Sequence, residues 1–170
     1  MNKKVKIATI VVLVLAIIGI ITFILLTRVK IKEYSNNNFR VKYDTTWKVK
    51  DSNDELYLVH KKTNSEIKIQ CKVLDSNYIN TSLDDIIDDV IYGIEEQNKD
   101  YDLINRDSLV SEKYDSYSYL YEKDDRQVVV YIYKKDAKLI IAYYEADIKF
   151  FDTVLISADE ILNSIEFVFE

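Results

Sequence analysis

The chain has 170 residues, of which 29 are acidic and 23 are basic, with one cysteine and one histidine. This length accommodates one ordinary domain and a short additional segment, but not two independent hydrophobic cores. A lone cysteine excludes an internal disulfide and a cysteine zinc cluster, and a lone histidine excludes metal sites built from several imidazoles.

An uncharged run of 21 residues, Ile7–Thr27, follows a head of six residues that contains three lysines. About 20 apolar residues in a helix span the hydrocarbon core of a bilayer. We therefore predict a cytoplasmic head over residues 1–6, a transmembrane signal anchor over residues 7–27 and a juxtamembrane linker over residues 28–38. A buried soluble helix, the first alternative, would need a wider surrounding core than the rest of the chain provides.

A cleaved secretory signal is the second alternative, because lysines precede the apolar run. The run is longer than the usual apolar region of such a signal, and Leu25–Lys30 lacks the small residues of a cleavage site. Both flanks are basic, so the positive-inside rule discriminates weakly between the two orientations. The short head favours the C-terminal domain outside the cytoplasm. We predict a single-pass protein of the cell membrane that contacts the lipid bilayer through residues 7–27.

Charge is distributed unevenly along the chain. Six of the 23 basic residues lie at or before Lys32, whereas all 29 acidic residues lie at or after Glu33, which leaves the domain with a net charge of about −12. Such a negative field repels phosphate groups. We therefore predict that nucleic acid is not a partner, although solubility alone also explains the charge.

The domain opens with segments in which apolar and polar residues alternate, the period of a half-buried strand. Four segments have this period: Phe39–Tyr43, Trp47–Lys50, Leu56–His60 and Glu66–Val73. Asp44–Thr46 is predicted to form the first turn and Lys62–Ser65 a hairpin loop. Cys71 has the parity of the apolar residues in its strand, which indicates a buried structural thiol and not a reactive one.

Two segments have apolar residues at helical spacing. The first begins at Leu83, is capped by Thr81 or Ser82 and ends near Asn98, and the second runs from Ile148 to Asn163. Between and after them, alternation predicts an antiparallel meander and a closing strand. The segments are Leu103–Val110, Tyr114–Lys123, Gln127–Lys134, Lys138–Tyr144 and Ile165–Phe169.

This order of elements predicts an α+β domain over residues 39–170, with an antiparallel β-sheet flanked by two amphipathic helices. The opening stretch Phe39–Val49, with its alternating strand and tryptophan turn, and the closing stretch Ser164–Phe169 resemble the Mog1/PsbP-like domains. The resemblance covers about residues 34–169, and Asp44 stands where those domains usually have a proline. It implies a binding or assembly module without a conserved catalytic apparatus.

Four aspartates lie at the start of the first predicted helix: Asp84, Asp85, Asp88 and Asp89. Residues four apart stack on one side of a helix, and oxygen clusters suit calcium. The spacing and central glycine of a calcium-binding loop are absent, so a solvated helix face is the favoured interpretation and we predict no metal ion. Gly93 is the only glycine after Gly19, which excludes glycine-rich phosphate loops and the cofactors that they bind.

Five tyrosines alternate along two neighbouring predicted strands: Tyr117, Tyr119, Tyr121, Tyr131 and Tyr133. We predict that both sets line one sheet face, either as a binding surface for sugars or extended peptides or packed beneath the helices. His60, beside two lysines, is interpreted as an ordinary surface residue. The predicted function is a non-enzymatic, membrane-anchored extracytoplasmic module that binds a membrane or envelope protein. An envelope-associated hydrolase with an unrecognised carboxylate site is the alternative.

Overall fold

The computed structural model describes residues 30–51, 55–97, 102–109 and 114–169. The chain divides into two units, Met1–Lys30 and Ile31–Glu170. The predicted cytoplasmic head, the transmembrane anchor over residues 7–27 and the first two residues of the linker lie outside the described residues. Within the described part, the helices are too short or too polar to cross a membrane.

The second unit alternates strands and helices in the order that the apolar spacing predicts. Its described residues form β1 (Ile31–Ser35), β2 (Phe39–Asp44), β3 (Trp47–Asp51), β4 (Leu56–His60), β5 (Glu66–Val73), α1 (Leu83–Gln97), β6 (Asp102–Leu109), β7 (Asp115–Lys123), β8 (Arg126–Lys135), β9 (Lys138–Asp147), α2 (Ile148–Asn163) and β10 (Glu166–Phe167). A short 3₁₀ turn, Ser76–Tyr78, leads towards α1. The predicted α+β class is confirmed.

The strands form two antiparallel sheets where the sequence predicted one. The larger sheet has seven strands in the order β3-β4-β5-β9-β8-β7-β6, and the smaller has three in the order β1-β2-β10. Alternation shows that Phe39–Tyr43 is a strand but does not identify its partners. In the structure these partners are β1 and β10, with Arg40 opposite both Ser35 and Glu166.

Strand β1 lies inside the segment that the sequence predicted to be a linker over residues 28–38. Its five residues pair with β2 from Ile31 opposite Asp44 to Ser35 opposite Arg40. Four of the five side chains are exposed, so the strand has no apolar alternation that a sequence pattern could reveal. Asn36 closes the turn, because its Oδ1 accepts hydrogen bonds of 2.9 Å from the backbone N–H groups of Asn38 and Phe39. The domain therefore begins at Ile31, eight residues earlier than predicted.

The turn between β2 and β3 is fixed by side chains in place of a proline. The Oδ1 of Asp44 accepts a hydrogen bond of 2.6 Å from the backbone N–H of Thr46. The other carboxylate oxygen of Asp44 accepts a hydrogen bond of 3.2 Å from the hydroxyl of Ser157 on α2. That hydroxyl in turn accepts a hydrogen bond of 2.9 Å from the indole N–H of Trp47. These bonds attach the turn to α2, which a proline could not do through its side chain.

Apolar side chains cover both faces of the seven-stranded sheet. On one face, α2 and the small sheet enclose a continuous core whose largest members are Phe39, Trp47, Tyr144 and Phe151. On the other face, α1 alone buries Leu83, Ile86, Ile87, Ile91 and Ile94 against β7, β8 and β9. The predicted apolar stripe of α1 is confirmed. Because one helix is about 10 Å wide, α1 covers only part of the sheet face on which it lies.

Candidate functional site

The five tyrosines predicted to share one sheet face lie on opposite faces. In the β7–β8 hairpin, Tyr117 is opposite Ile132, whereas Tyr131 is opposite Ser118. Residues directly opposite in an antiparallel pair point to the same face. The two-residue turn at Asp124 and Asp125 pairs odd-numbered residues with even-numbered ones. The prediction of one shared face was wrong because it assumed that odd-numbered residues of both strands point to the same side, whereas this register pairs odd-numbered with even-numbered residues.

Both tyrosine sets pack beneath helices or form hydrogen bonds with helix side chains. Tyr119 and Tyr121 belong to the core beneath α1, and Tyr133 to the core on the α2 side. The hydroxyl of Tyr131 donates a hydrogen bond of 2.7 Å to Asp159 on α2, and that of Tyr117 donates to the carboxylate of Asp84 on α1.

Burial raises the pKa of both Tyr131 and Tyr133 above the usual tyrosine range. Tyr117 and Tyr131 are half-buried, and the other three side chains are at most 6% exposed. The five residues therefore correspond to the packing alternative and do not present a ladder to solvent.

The aspartates at the start of α1 lie on its exposed side, and Asp85 contacts the residue that caps the helix. The hydroxyl of Ser82 accepts a hydrogen bond of 3.3 Å from the backbone N–H of Asp85 and donates one of 2.7 Å to its carboxylate. Ser82, and not Thr81, is therefore the capping residue. Among the described residues, no group of three histidine, cysteine or acidic side chains is arranged to hold a metal ion.

His60 is half-buried, which corrects its interpretation as an ordinary surface residue. Its ring centroid lies 5.2 Å from that of Trp47, and its Nδ1 is 2.8 Å from the hydroxyl oxygen of Thr63. Burial lowers the pKa of the imidazole. These contacts fix the β4–β5 turn. Cys71 is half-buried as well, and burial raises the pKa of its thiol, which agrees with a structural role.

A groove that the sequence did not indicate lies between α1 and strands β5 and β9. It has a volume of about 280 Å³, near the lower end of the range for small-ligand sites. Its apolar lining is supplied by Leu74, Ile86, Val90, Ile94, Leu139 and Ile141. The polar or charged side chains of the lining are those of Lys72, Asp89, Tyr78 and Tyr143. This combination suits an apolar group that carries a polar or charged end.

Gly93 opens the helix side of the groove. It is exposed, and a Cβ built at this position meets no atom within 4 Å. Glycine in a helix interior costs about 0.5–1 kcal/mol relative to alanine. Neither close packing nor a positive φ requires glycine here. Its structural effect is to leave space where any longer side chain would narrow the groove.

The groove continues onto an uncovered part of the sheet that bears lysines and tyrosines. Lys50 Nζ lies 4.6 Å from the ring centroid of Tyr57, and Lys68 Nζ lies 5.1 Å from it. Burial and a hydrogen bond with Glu66 raise the pKa of Tyr57 to about 12. Burial, together with the negative charge of Glu55, raises the pKa of Tyr143 to about 12. Both phenols are therefore neutral at physiological pH and serve as hydrogen-bonding groups.

Part of this surface was visible in the sequence. In β5, polar Lys68, Gln70 and Lys72 alternate with the core residues Ile67 and Ile69, so the strand has one polar face. The missing information was where α1 docks. A helical stripe shows which side of α1 is buried, but it does not show which strands lie beneath it or which strands stay uncovered.

Among the solved structures similar to this domain are two with TM-scores above 0.5. The first is cyanobacterial PsbP (CyanoP) from Synechocystis sp. PCC 6803, with a TM-score of 0.63 and 14% identity over 82% of this chain and 94% of that chain. The second is LpqN of Mycobacterium tuberculosis, described as involved in cell envelope biogenesis, with a TM-score of 0.53 and 8% identity over 86% of this chain and 95% of that chain. The domain therefore has the PsbP-like fold, as the resemblance in sequence implied. No protein-family model matches the chain, and no curated protein is significantly similar to it.

Proposed function

We propose that this chain is a membrane-anchored binding or assembly module without enzymatic activity. Residues 7–27 would hold it in the cell membrane, and its C-terminal domain would bind a membrane or envelope protein outside the cytoplasm. The groove between α1 and strands β5 and β9 carries the proposal, because its lining combines apolar side chains with the charged Lys72 and Asp89. The involvement of LpqN in cell envelope biogenesis supports a partner in the envelope.

The groove has the chemistry of a binding site. Apolar side chains can take up an aliphatic or aromatic group of a partner, since burial of apolar surface contributes about 25 cal/mol per Å². The charges of Lys72 and Asp89 and the two phenols then fix its orientation. No observation on the described residues favours the alternative of a hydrolase with a carboxylate site.

Photo-crosslinking in native membranes tests the binding site. A photoreactive phenylalanine analogue replaces Tyr78, which lines the groove and is 39% exposed. The matched control carries the analogue at Ile156, which is 70% exposed and lies on α2. We expect an adduct from position 78 that position 156 does not give, and we expect Gly93→Leu to abolish it by filling the groove. An adduct that survives Gly93→Leu, or equal labelling from both positions, would contradict the proposed site.

The anchor has its own test. The full chain should stay in the membrane fraction after alkaline carbonate extraction, and the mature protein should retain residues 7–27. Protease added outside intact cells should degrade the C-terminal domain. Recovery of the full chain as a soluble species without detergent would refute the anchor while leaving the groove experiment unaffected.

A further inference from the structure

The uncovered part of the sheet and the exposed side of α1 have opposite charges on one face of the domain. On α1, the exposed side carries acidic residues around one tyrosine, a surface that we name the acidic ridge: Asp85, Asp88, Asp89, Tyr92, Glu95 and Glu96. No basic residue occurs anywhere in α1. Tyr92 is 67% exposed, which is unusual for a large aromatic side chain at the centre of a charged surface.

Lysines line the strands beside α1 on the same face, and we name these the lysine strip: Lys48, Lys50, Lys68 and Lys72. Glu66 lies on this face as well and forms an ion pair of 3.8 Å with Lys68, so the other three lysines carry the net positive charge of the strip. Lys72 is directly opposite Leu139, which belongs to the core beneath α1, so the two side chains share a face. Lys68 is directly opposite both Tyr143 on β9 and Tyr57 on β4. Lys48 alternates with core-facing Trp47 and therefore points to this face as well.

We propose that the acidic ridge of one copy docks on the lysine strip of a second copy, forming a symmetric dimer. Strands β5, β4 and β3 beside β9 present about 14 Å of sheet at a strand spacing of about 4.8 Å. That width accommodates one helix about 10 Å in diameter. Because each copy carries both surfaces, a two-fold axis places each ridge on the strip of the other copy. Tyr92 supplies an apolar contact at the centre of each ridge.

A second copy fits the lysine strip better than the predicted anchor does. Residues 7–27 contain no charged side chain and offer nothing to the lysines. The ridge offers five carboxylates. The overall negative charge of the domain opposes association, but salt at physiological strength screens exposed charges beyond about 8 Å. Salt therefore reduces the repulsion between distant carboxylates more than it reduces the close contacts at the interface.

The dimer is expected to be weak. A helix of 15 residues is about 22 Å long, so one ridge covers about 220 Å². Two ridges and the two strips beneath them bury about 900 Å² in total, which lies in the range of transient complexes. We expect a dissociation constant between about 10 μM and 1 mM for such an interface. The docked helix also covers the mouth of the groove, so a partner that enters the groove competes with the second copy.

Charge reversal in the full chain, purified in detergent, tests the dimer by sedimentation equilibrium. The ridge variant carries Asp89→Lys and Glu96→Lys, and the strip variant carries Lys48→Glu and Lys72→Glu. All four side chains are exposed, so these changes leave the core intact. Each variant alone should associate at least tenfold more weakly than the native chain. An equimolar mixture of the two should recover association, because the heterodimer pairs the native ridge with the native strip and the introduced lysines with the introduced glutamates.

The matched control applies the same charge change to the other helix. Asp152→Lys with Glu160→Lys alters two exposed residues of α2 and should leave association unchanged. Association through the predicted anchor would be identical in all variants, because none of them alters residues 7–27. A native chain that stays monomeric at about 1 mM would refute the dimer. Equal association of all variants, or a mixture that fails to recover, would refute it as well.

Discussion

The two faces of the seven-stranded sheet differ in how completely they are covered. On the α2 face, the helix and the small sheet close a core in which Trp47, Tyr144 and Phe39 are almost fully buried. On the α1 face, one helix leaves a groove and a charged part of the sheet uncovered. The comparison indicates that the α2 face supplies most of the stability, whereas the α1 face has room for a partner. Such a division is physically reasonable, because burial that stabilises the fold also removes surface from binding.

The largest expected effect is the loss of Trp47 from the closed face. Trp47→Ala removes a side chain that is 1% exposed and breaks its hydrogen bond with Ser157. We expect a loss of about 3–5 kcal/mol in the free energy of unfolding, from lost burial and from the cavity. Val90→Ala at the half-buried groove lining should cost about 1 kcal/mol or less. Urea denaturation of both variants measures the difference, and equal losses would contradict the division between the faces.

High pH should lower the free energy of unfolding through a buried tyrosine on the α2 face. Burial raises the pKa of Tyr133 in the folded state, whereas an unfolded tyrosine has a pKa near 10. Above pH 10 the unfolded chain therefore releases a proton that the folded chain retains, and stability falls as pH rises. Below pH 10 the contribution is fully present.

For Tyr133 the loss in the free energy of unfolding should reach about 1.4 kcal/mol at pH 11 relative to pH 8. Half-buried Tyr143 at the groove should contribute less, because solvent screens it in part. Urea denaturation at both pH values measures the loss, and Tyr133→Phe should reduce it more than Tyr143→Phe does. A loss unchanged in Tyr133→Phe would show that another group titrates.

A smaller effect of opposite sign is expected at the groove. Gly93→Ala removes the entropic cost of a helical glycine, and the added Cβ meets no atom within 4 Å. We expect a gain of about 0.5–1 kcal/mol in the free energy of unfolding. Thermal unfolding of the purified chain would show a raised melting temperature. A lowered melting temperature would mean that the open space beside α1 is smaller than the structure shows.

Local patterns predicted the elements, whereas their arrangement required tertiary information. The apolar stripe of α1 and the alternation in β5 depend on neighbouring residues alone, and both are confirmed. Strand β1 was not predicted from the sequence, because most of its side chains are exposed and its formation depends on pairing with β2. The groove was not predicted either, because packing between distant segments sets the position of α1 on the sheet.

The register of the tyrosine strands is the exception, because the sequence contained enough information to derive it. Asp124 and Asp125 lie between two strands that the sequence predicted, and a two-residue turn joins residues of opposite parity on one face. Applying this rule to Tyr117 and Tyr131 would have placed them on opposite faces, as the structure does.

The smallest predicted effect concerns the same turn, on which the separation of the two tyrosine sets depends. Asp124 has a φ of 52°, a left-handed conformation that glycine adopts without steric cost. Asp124→Gly should therefore raise the free energy of unfolding by a few tenths of a kcal/mol, because relief of strain slightly exceeds the added entropy of the unfolded chain. Asp125→Gly is the matched control. Asp125 has no positive φ to relieve, so glycine there should cost about 0.5–1 kcal/mol. Denaturation curves that rank these two variants in the reverse order would mean that the β7–β8 turn has another conformation, and the assignment of the two tyrosine sets to opposite faces would lose its basis.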